Sequence, residues 1–244
     1  MKSKLVLSPC VLGLALICVS PNAPAQIFSQ DLTMRATTTS SGMAGRGGGT
    51  QTTTDYFSKN AMKTASSDGS DTIIRFDAEK IINIDNKNKT YSETTFKQLQ
   101  ESLNKLGAEM NSEQMQQMRK MMGQMNAAFS LTKQGPGENI AGYATEKYLI
   151  SGPIEMEVWA CPSLKMPTSY YDVMKAKMPA NPMFDMKKLY DEMKSIDGIP
   201  LKTVMTIKMM NMEMKTTKVV NSVEKGVISA SEFEVPAGYK LVQK

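Results

Sequence analysis

The chain has 244 residues, a formal charge of +5, 22 methionines, three cysteines and no histidine. Without histidine it lacks the usual general base and the commonest metal ligand. The positive charge is spread along the chain with no dense basic block, so it gives no footprint for nucleic acid.

Met1-Lys2-Ser3-Lys4 is a short basic start, residues 5–19 form an apolar run, and Ala23-Pro24-Ala25 places small residues where a signal peptidase reads. Residues 1–25 are therefore expected to be a secretory signal peptide cleaved before Gln26, delivering the protein to the periplasm. The apolar run is short for a bilayer, so no transmembrane span is expected in the mature form. Lipidation is not expected, because Ile17 precedes Cys18 and Pro9 precedes Cys10 where a small residue is needed. Removing 25 residues leaves 219, a length that suits one domain over 26–244. The loss of Lys2 and Lys4 lowers the formal charge to +3. Cys161 then stands alone, which rules out an internal disulfide in the mature chain and leaves either an inert, buried thiol, the reading favoured here, or one open to intermolecular pairing.

Residues 31–39 are threonine-rich and predict a strand; residues 40–50, with Gly42, Gly45 and Gly47-Gly48-Gly49, predict a flexible loop. No apolar strand precedes these glycines and no helix follows, so they do not form a nucleotide-binding turn. Residues 52–65 return to strand composition, and Asp68-Gly69 is a hairpin dipeptide. Residues 71–76, 80–85 and 90–94 read as short strands joined by Asp77-Ala78-Glu79 and Asn86-Lys87-Asn88-Lys89. Tight connections of this kind favour an antiparallel meander.

The pattern then becomes helical. Phe96, Leu99, Leu103 and Leu106 recur at helix spacing and predict a helix stopped by Gly107. A second helix is expected from Asn111, with Met115, Met118, Met122, Met125 and Phe129 on one stripe. Residues 130–133 resume an extended pattern, broken by Gly135-Pro136-Gly137, and 140–150 and 154–161 predict two further strands. Residues 168–178 predict a helix, and Asn181-Pro182 opens another with Met186, Leu189, Met193 and Ile196 as its buried stripe and Gly198 at its exit. A final meander is expected from 201–209, 212–220 and 227–235, with turns at Met210-Asn211 and Glu224-Lys225-Gly226.

The motifs Ala141-Gly142-Tyr143, Tyr148, Glu157-Val158-Trp159 and the run from Phe233 to Lys240 resemble a bacterial exported family described as domain of unknown function 4412. That family is similar in architecture to outer-membrane lipoprotein carriers. The resemblance spans nearly all of the mature chain and implies a half-barrel that binds a lipid-like group. It carries no catalytic motif. The fold expected is α+β: a curved antiparallel sheet, an unclosed β-barrel, with two helical insertions covering its concave face.

Methionine is the feature that needs a chemical reading. Unbranched thioethers fill irregular cores, line adaptable apolar cavities, or bind Cu(I). Copper would use Met209, Met210, Met212 and Met214, or Met118, Met121, Met122 and Met125, with neither histidine nor a second mature cysteine to complete a site. Glu155 and Glu157 share a strand face and read as solvated, and no serine–lysine signature supports catalysis. The expectation is a non-enzyme without cofactor or metal, binding a lipid or lipoprotein acyl chain. The expected lining is Met205, Ile207, Met209, Met212, Met214 and Phe233 from the sheet side, with Met115, Met118, Met122 and Met193 from the helices. A Cu(I)-binding protein and a purely structural envelope protein are the alternatives.

Overall fold

Short turns with strong local chemistry set up the first half of the sheet. Asp68 accepts from the Ser70 amide at 2.8 Å while Gly69 takes φ +86°, and Asp85 accepts from the Asn88 amide at 3.0 Å before Lys89 turns left-handed at φ +52°. Such turns leave neighbouring strands no choice but to pair back to back. The computed structural model describes residues 30–41, 48–109, 129–152, 154–166, 168–177, 186–209 and 212–242. The signal-peptide reading, the Asn111 helix with Met115, Met118 and Met122, the Asn181-Pro182 cap and the Met210-Asn211 turn lie outside them.

The strands are β1 (Leu32–Ser40), β2 (Gly49–Ser58), β3 (Ala61–Ser66), β4 (Ser70–Arg75), β5 (Lys80–Asp85), β6 (Thr90–Thr95), β7 (Ser130–Pro136), β8 (Glu146–Ser151), β9 (Glu155–Cys161), β10 (Ile199–Met209), β11 (Met212–Lys225) and β12 (Lys240–Leu241). They form one curved, unclosed sheet in the order β12-β6-β5-β4-β3-β2-β1-β11-β10-β9-β8-β7. Each neighbouring pair is antiparallel except β12, which runs parallel to β6. The sheet is thus two meanders, β1–β6 and β7–β11, sewn together where β1 pairs with β11 from Leu32↔Lys225 to Ser40↔Thr216.

The fold is mostly sheet, where a mixed α+β architecture was expected. Its helices are α1 (Phe96–Glu109), α2 (Thr168–Lys177) and α3 (Met186–Lys194). A reciprocal cap starts α1: the Gln98 amide donates to Thr95 Oγ1 at 3.1 Å and the Thr95 amide donates to Gln98 Oε1 at 2.8 Å. The helix runs through Gly107, because an internal glycine weakens a helix by about 1 kcal/mol without ending it. Ion pairs Lys175–Asp191 and Lys194–Asp172, both 2.6 Å, tie α2 to α3.

The strand composition of residues 52–65 is shared by two strands, since Lys59 turns left-handed at φ +36° and separates β2 from β3. Two other expectations are corrected. Residues 140–145 do not extend β8: Ala141 and Gly142 both take positive φ, closing a tight Ile140↔Tyr143 bridge. Residues 227–235 are not a strand either. A 3-10 turn at Ala230–Phe233, capped by the Ser229 side chain, docks Ile228, Phe233 and Val235 on the face of β3–β5 that carries Ile73 and Ile82. Apolar residues in a short extended stretch serve such docking as well as they serve pairing.

Along each strand successive side chains alternate between faces. Leu32, Met34 and Ala36 on β1 share a face with Phe57 and Asp55 on β2 and Met62 and Thr64 on β3, and with Val220 and Lys218 on β11. The core is densest at Ile73, Ile150, Val158, Leu201 and Cys161, which are buried essentially completely. On the opposite face Trp159 is held between the ammonium groups of Lys147 and Lys202, 4.7 and 4.4 Å from its ring centre.

Gly198 links α3 to β10 at φ +108°, with a Cβ there falling 2.0 Å from the Cys161 carbonyl oxygen. Gly198→Ala should therefore destabilise by at least ~1–3 kcal/mol from backbone conformation alone. Gly226→Ala, where a Cβ meets nothing, should change stability by under about 1 kcal/mol. Urea midpoints of the two variants test this, and equal midpoints would show that the close approach at Gly198 is relaxed in solution.

Candidate functional site

The same face of the sheet turns from apolar to polar in one two-residue step on each of four strands. Phe57 gives way to Asp55 on β2, Met62 to Thr64 on β3, Leu201 to Thr203 on β10 and Val220 to Lys218 on β11. Between this face and the helices lies a cavity of about 250 Å³. Its floor at one end is Met34, Phe57, Met62, Leu201 and Val220; at the other it is Asp55, Thr64, Thr203 and Lys218. Met166, Tyr170 and Tyr171, with Met193 of α3, form the roof.

The polar end is organised by one ion pair. Lys218 reaches across β1 to place its Nζ 2.6 Å from Asp55 Oδ2, and the Thr64 hydroxyl donates to Asp55 Oδ1 at 2.7 Å. Asp55 is therefore buried with both carboxylate oxygens engaged, at 6% side-chain exposure, whereas the Lys218 side chain is 41% exposed. β1 carries Ala36 on this face between the two partner strands, and its small side chain leaves the crossing open.

The roof is aromatic. Tyr170 meets Phe76 edge-on at 6.2 Å and Tyr171 at 5.1 Å. Loss of solvent raises the ionisation of Tyr170 and Tyr190 above the ordinary phenol, and pushes Tyr171 up to about 12.

Of the expected lining residues, Met193 borders the cavity. Met205, Ile207 and Met214 are half-buried on the same face of β10 and β11, beyond Thr203 and toward the hairpin end, where Met209 pairs with Met212. Phe233 lies on the opposite face, packed with Ala61, Ile73, Ile82 and Ile84, because the 3-10 turn carries it there. Sequence reading missed Met34, Asp55, Phe57, Met62, Tyr170, Tyr171 and Lys218. Alternation along β1–β3 was the available signal, yet it shows no partner strand. Cys161 is buried, with its Sγ 3.0 Å from Ser163 Oγ. Another concavity, of about 530 Å³, lies at the β4–β6 end beside Asp68, Lys87 and Val242.

A family model described as Domain of unknown function (DUF4412) matches residues 43–239. Among curated proteins none matches. Among solved structures, PNGF-II in a C2 space group matches with 12% identity and a TM-score of 0.40, over 88% of this chain and 31% of that one. MucB matches with 11% identity and a TM-score of 0.37, over 89% of this chain and 61% of that one. A putative outer membrane lipoprotein-sorting protein domain from Vibrio parahaemolyticus matches with 10% identity and a TM-score of 0.34, over 84% of this chain and 89% of that one. The chain thus spans about a third of PNGF-II and under two thirds of MucB, and these likenesses assign it no function. Among the described residues no helix is long and apolar enough to cross a membrane.

The tyrosine roof makes alkaline stability a direct test. Above the ordinary phenol value of 10.0 the unfolded chain releases protons that the folded chain keeps until about 12 at Tyr171. Folding stability is therefore intact below that window and falls as pH rises through it. Tyrosinate absorbance and urea midpoints across the window should show this, with a shallower fall in Tyr171→Phe. An equal slope in the variant would mean that the roof is open to water.

Proposed function

The chain belongs to the DUF4412 family, whose description states no activity, and we propose that it is a non-catalytic binding protein for an apolar ligand, a lipid or the acyl chain of a lipidated partner. The observation that supports this is the cavity between sheet and helices, closed on its apolar side by Met34, Phe57, Met62, Leu201 and Val220. Apolar lining with a few polar groups at one end is the usual form of a small-molecule site. At about 250 Å³ it falls below the ~300–1,000 Å³ of pockets for drug-sized ligands, so it takes one short aliphatic chain.

Met205, Ile207 and Met214 offer a second apolar stretch on β10 and β11, beyond Thr203 and Lys218, for a further chain of the same ligand. In this reading the helices form two insertions covering the concave side of the sheet. Thioethers repack around chains of different length at small cost, which suits Met34, Met62, Met166 and Met193 on the cavity wall. Residues 26–244 then act as one domain, exported to the periplasm by residues 1–25.

Affinity comes from burying apolar area, about 0.8 kcal/mol for each CH₂ before ordering costs. A series of linear alcohols should therefore bind with affinity rising a few-fold per carbon until the cavity is filled. Val220→Phe should weaken binding about tenfold while the protein stays folded by circular dichroism. Protein purified from its own envelope should release lipid on extraction, seen by mass spectrometry. No released lipid together with no saturable alcohol binding would end this reading.

A further inference from the structure

The polar end of the cavity has a sign. Asp55 is engaged on both oxygens, by Lys218 at 2.6 Å and by Thr64 at 2.7 Å, and is almost fully buried. Buried and already facing the Lys218 ammonium, it presents no open carboxylate to a cationic guest. Lys218 is the opposite case: an ammonium carries three donors, its side chain is 41% exposed, and it borders the cavity. Among the described residues the other lysine touching the cavity, Lys202, directs its ammonium to Glu138 and over the Trp159 ring on the far face of the sheet, so it does not compete.

The apolar-to-polar step runs the same way on β2, β3, β10 and β11, which sets one orientation for an amphiphile. Its chain faces Phe57, Met62, Leu201 and Val220, and its head meets Thr203 and Lys218. We infer that the ligand is an anionic amphiphile, an aliphatic chain ending in a carboxylate or phosphate that accepts from Lys218 while Asp55 holds that lysine in place. This rests on the apolar-ligand reading above and adds the chemistry of the head group. Asp55 here is a positioning residue: a buried partner fixes the lysine at the cavity rim, at the cost of sharing its charge.

Isothermal titration of the full mature chain with octanoate, octyl phosphate, octanol, octylammonium and inorganic phosphate tests it. Octanoate and octyl phosphate should bind at least about tenfold more tightly than octanol and octylammonium, as hydrogen bonds to a charged group do. Asp55→Asn, which keeps an acceptor for Lys218 but removes the competing charge, should strengthen octanoate binding several-fold. The double variant Lys218→Gln/Asp55→Asn avoids stranding a buried carboxylate, and in it the octanoate-to-octanol affinity ratio should fall toward one. Octanol binding as tightly as octanoate, or a ratio unchanged in the double variant, would overturn the anionic head while leaving the apolar site standing. Inorganic phosphate binding as tightly as octyl phosphate would overturn the amphiphile in favour of a plain anion site. Binding of none of the five overturns both readings together.

Discussion

Everything at the candidate site depends on the pairing of β1 with β11. The two meanders assemble from neighbouring hairpins, but no local turn brings residues 32–40 to residues 216–225. Closing so long a loop costs conformational entropy that grows only slowly with length, so a full-length strand pairing offsets it. Once formed, the seam puts Met34 beside Val223 and Ala36 beside Val220. The cavity floor is drawn from β1–β3 on one side and β10–β11 on the other, so neither meander owns it alone. The Lys218–Asp55 pair spans the same seam, 163 residues apart in sequence. On the opposite face Arg35 pairs with Glu224 across it as well.

That ion pair is a poor device for stability and a good one for specificity. Removing a carboxylate from water costs several kcal/mol, and the attraction of a partly solvated lysine repays only part of it. An apolar pair of similar volume would hold the seam at less expense. In the proposed reading, a charge kept at the boundary between an apolar floor and an open rim instead fixes which end of a guest goes inward. The tyrosines of α2 strengthen this by keeping water from the roof, since their own ionisation is pushed upward by the same desolvation.

The parts of the fold that were legible are those written locally. β5 matches its expected range to the residue and β4 and β6 to within one, because Asp68-Gly69, Asp77-Ala78-Glu79 and Asn86–Lys89 each specify a turn regardless of the rest of the chain. The misread segments have apolar patterns with a different purpose. Residues 227–235 are apolar at Ile228, Phe233 and Val235 because these dock on a finished sheet, and residues 140–143 are held by a left-handed Ala141-Gly142 turn. The site was illegible for another reason. Its floor requires knowing that β11 lies against β1, and a single sequence gives alternation on each strand without giving partners. The methionine count drew attention to the hairpin end at Met209–Met214, while Met34 and Met62 sat unremarked in threonine-rich strands.

The distribution of side-chain types supports reading the roofed face as adaptable. Branched or thiol side chains mark the places where strand register fixes every neighbour: Ile73, Ile150, Val158, Leu201 and Cys161 have almost no exposure. There, a stiff side chain loses little on folding and packs to crystal density. Methionine instead occurs where the sheet faces the helices, at Met34 and Met62 below and at Met166 and Met193 above. That boundary is set by side-chain packing and by surface ion pairs such as Lys175–Asp191, with no backbone ladder to hold its spacing. A boundary of this kind tolerates small displacements, and unbranched thioethers follow them with three rotatable bonds each. Rigid strands thus keep the polar end in register while the apolar end yields, the division of labour that the proposed amphiphile, with a fixed head and a variable tail, requires.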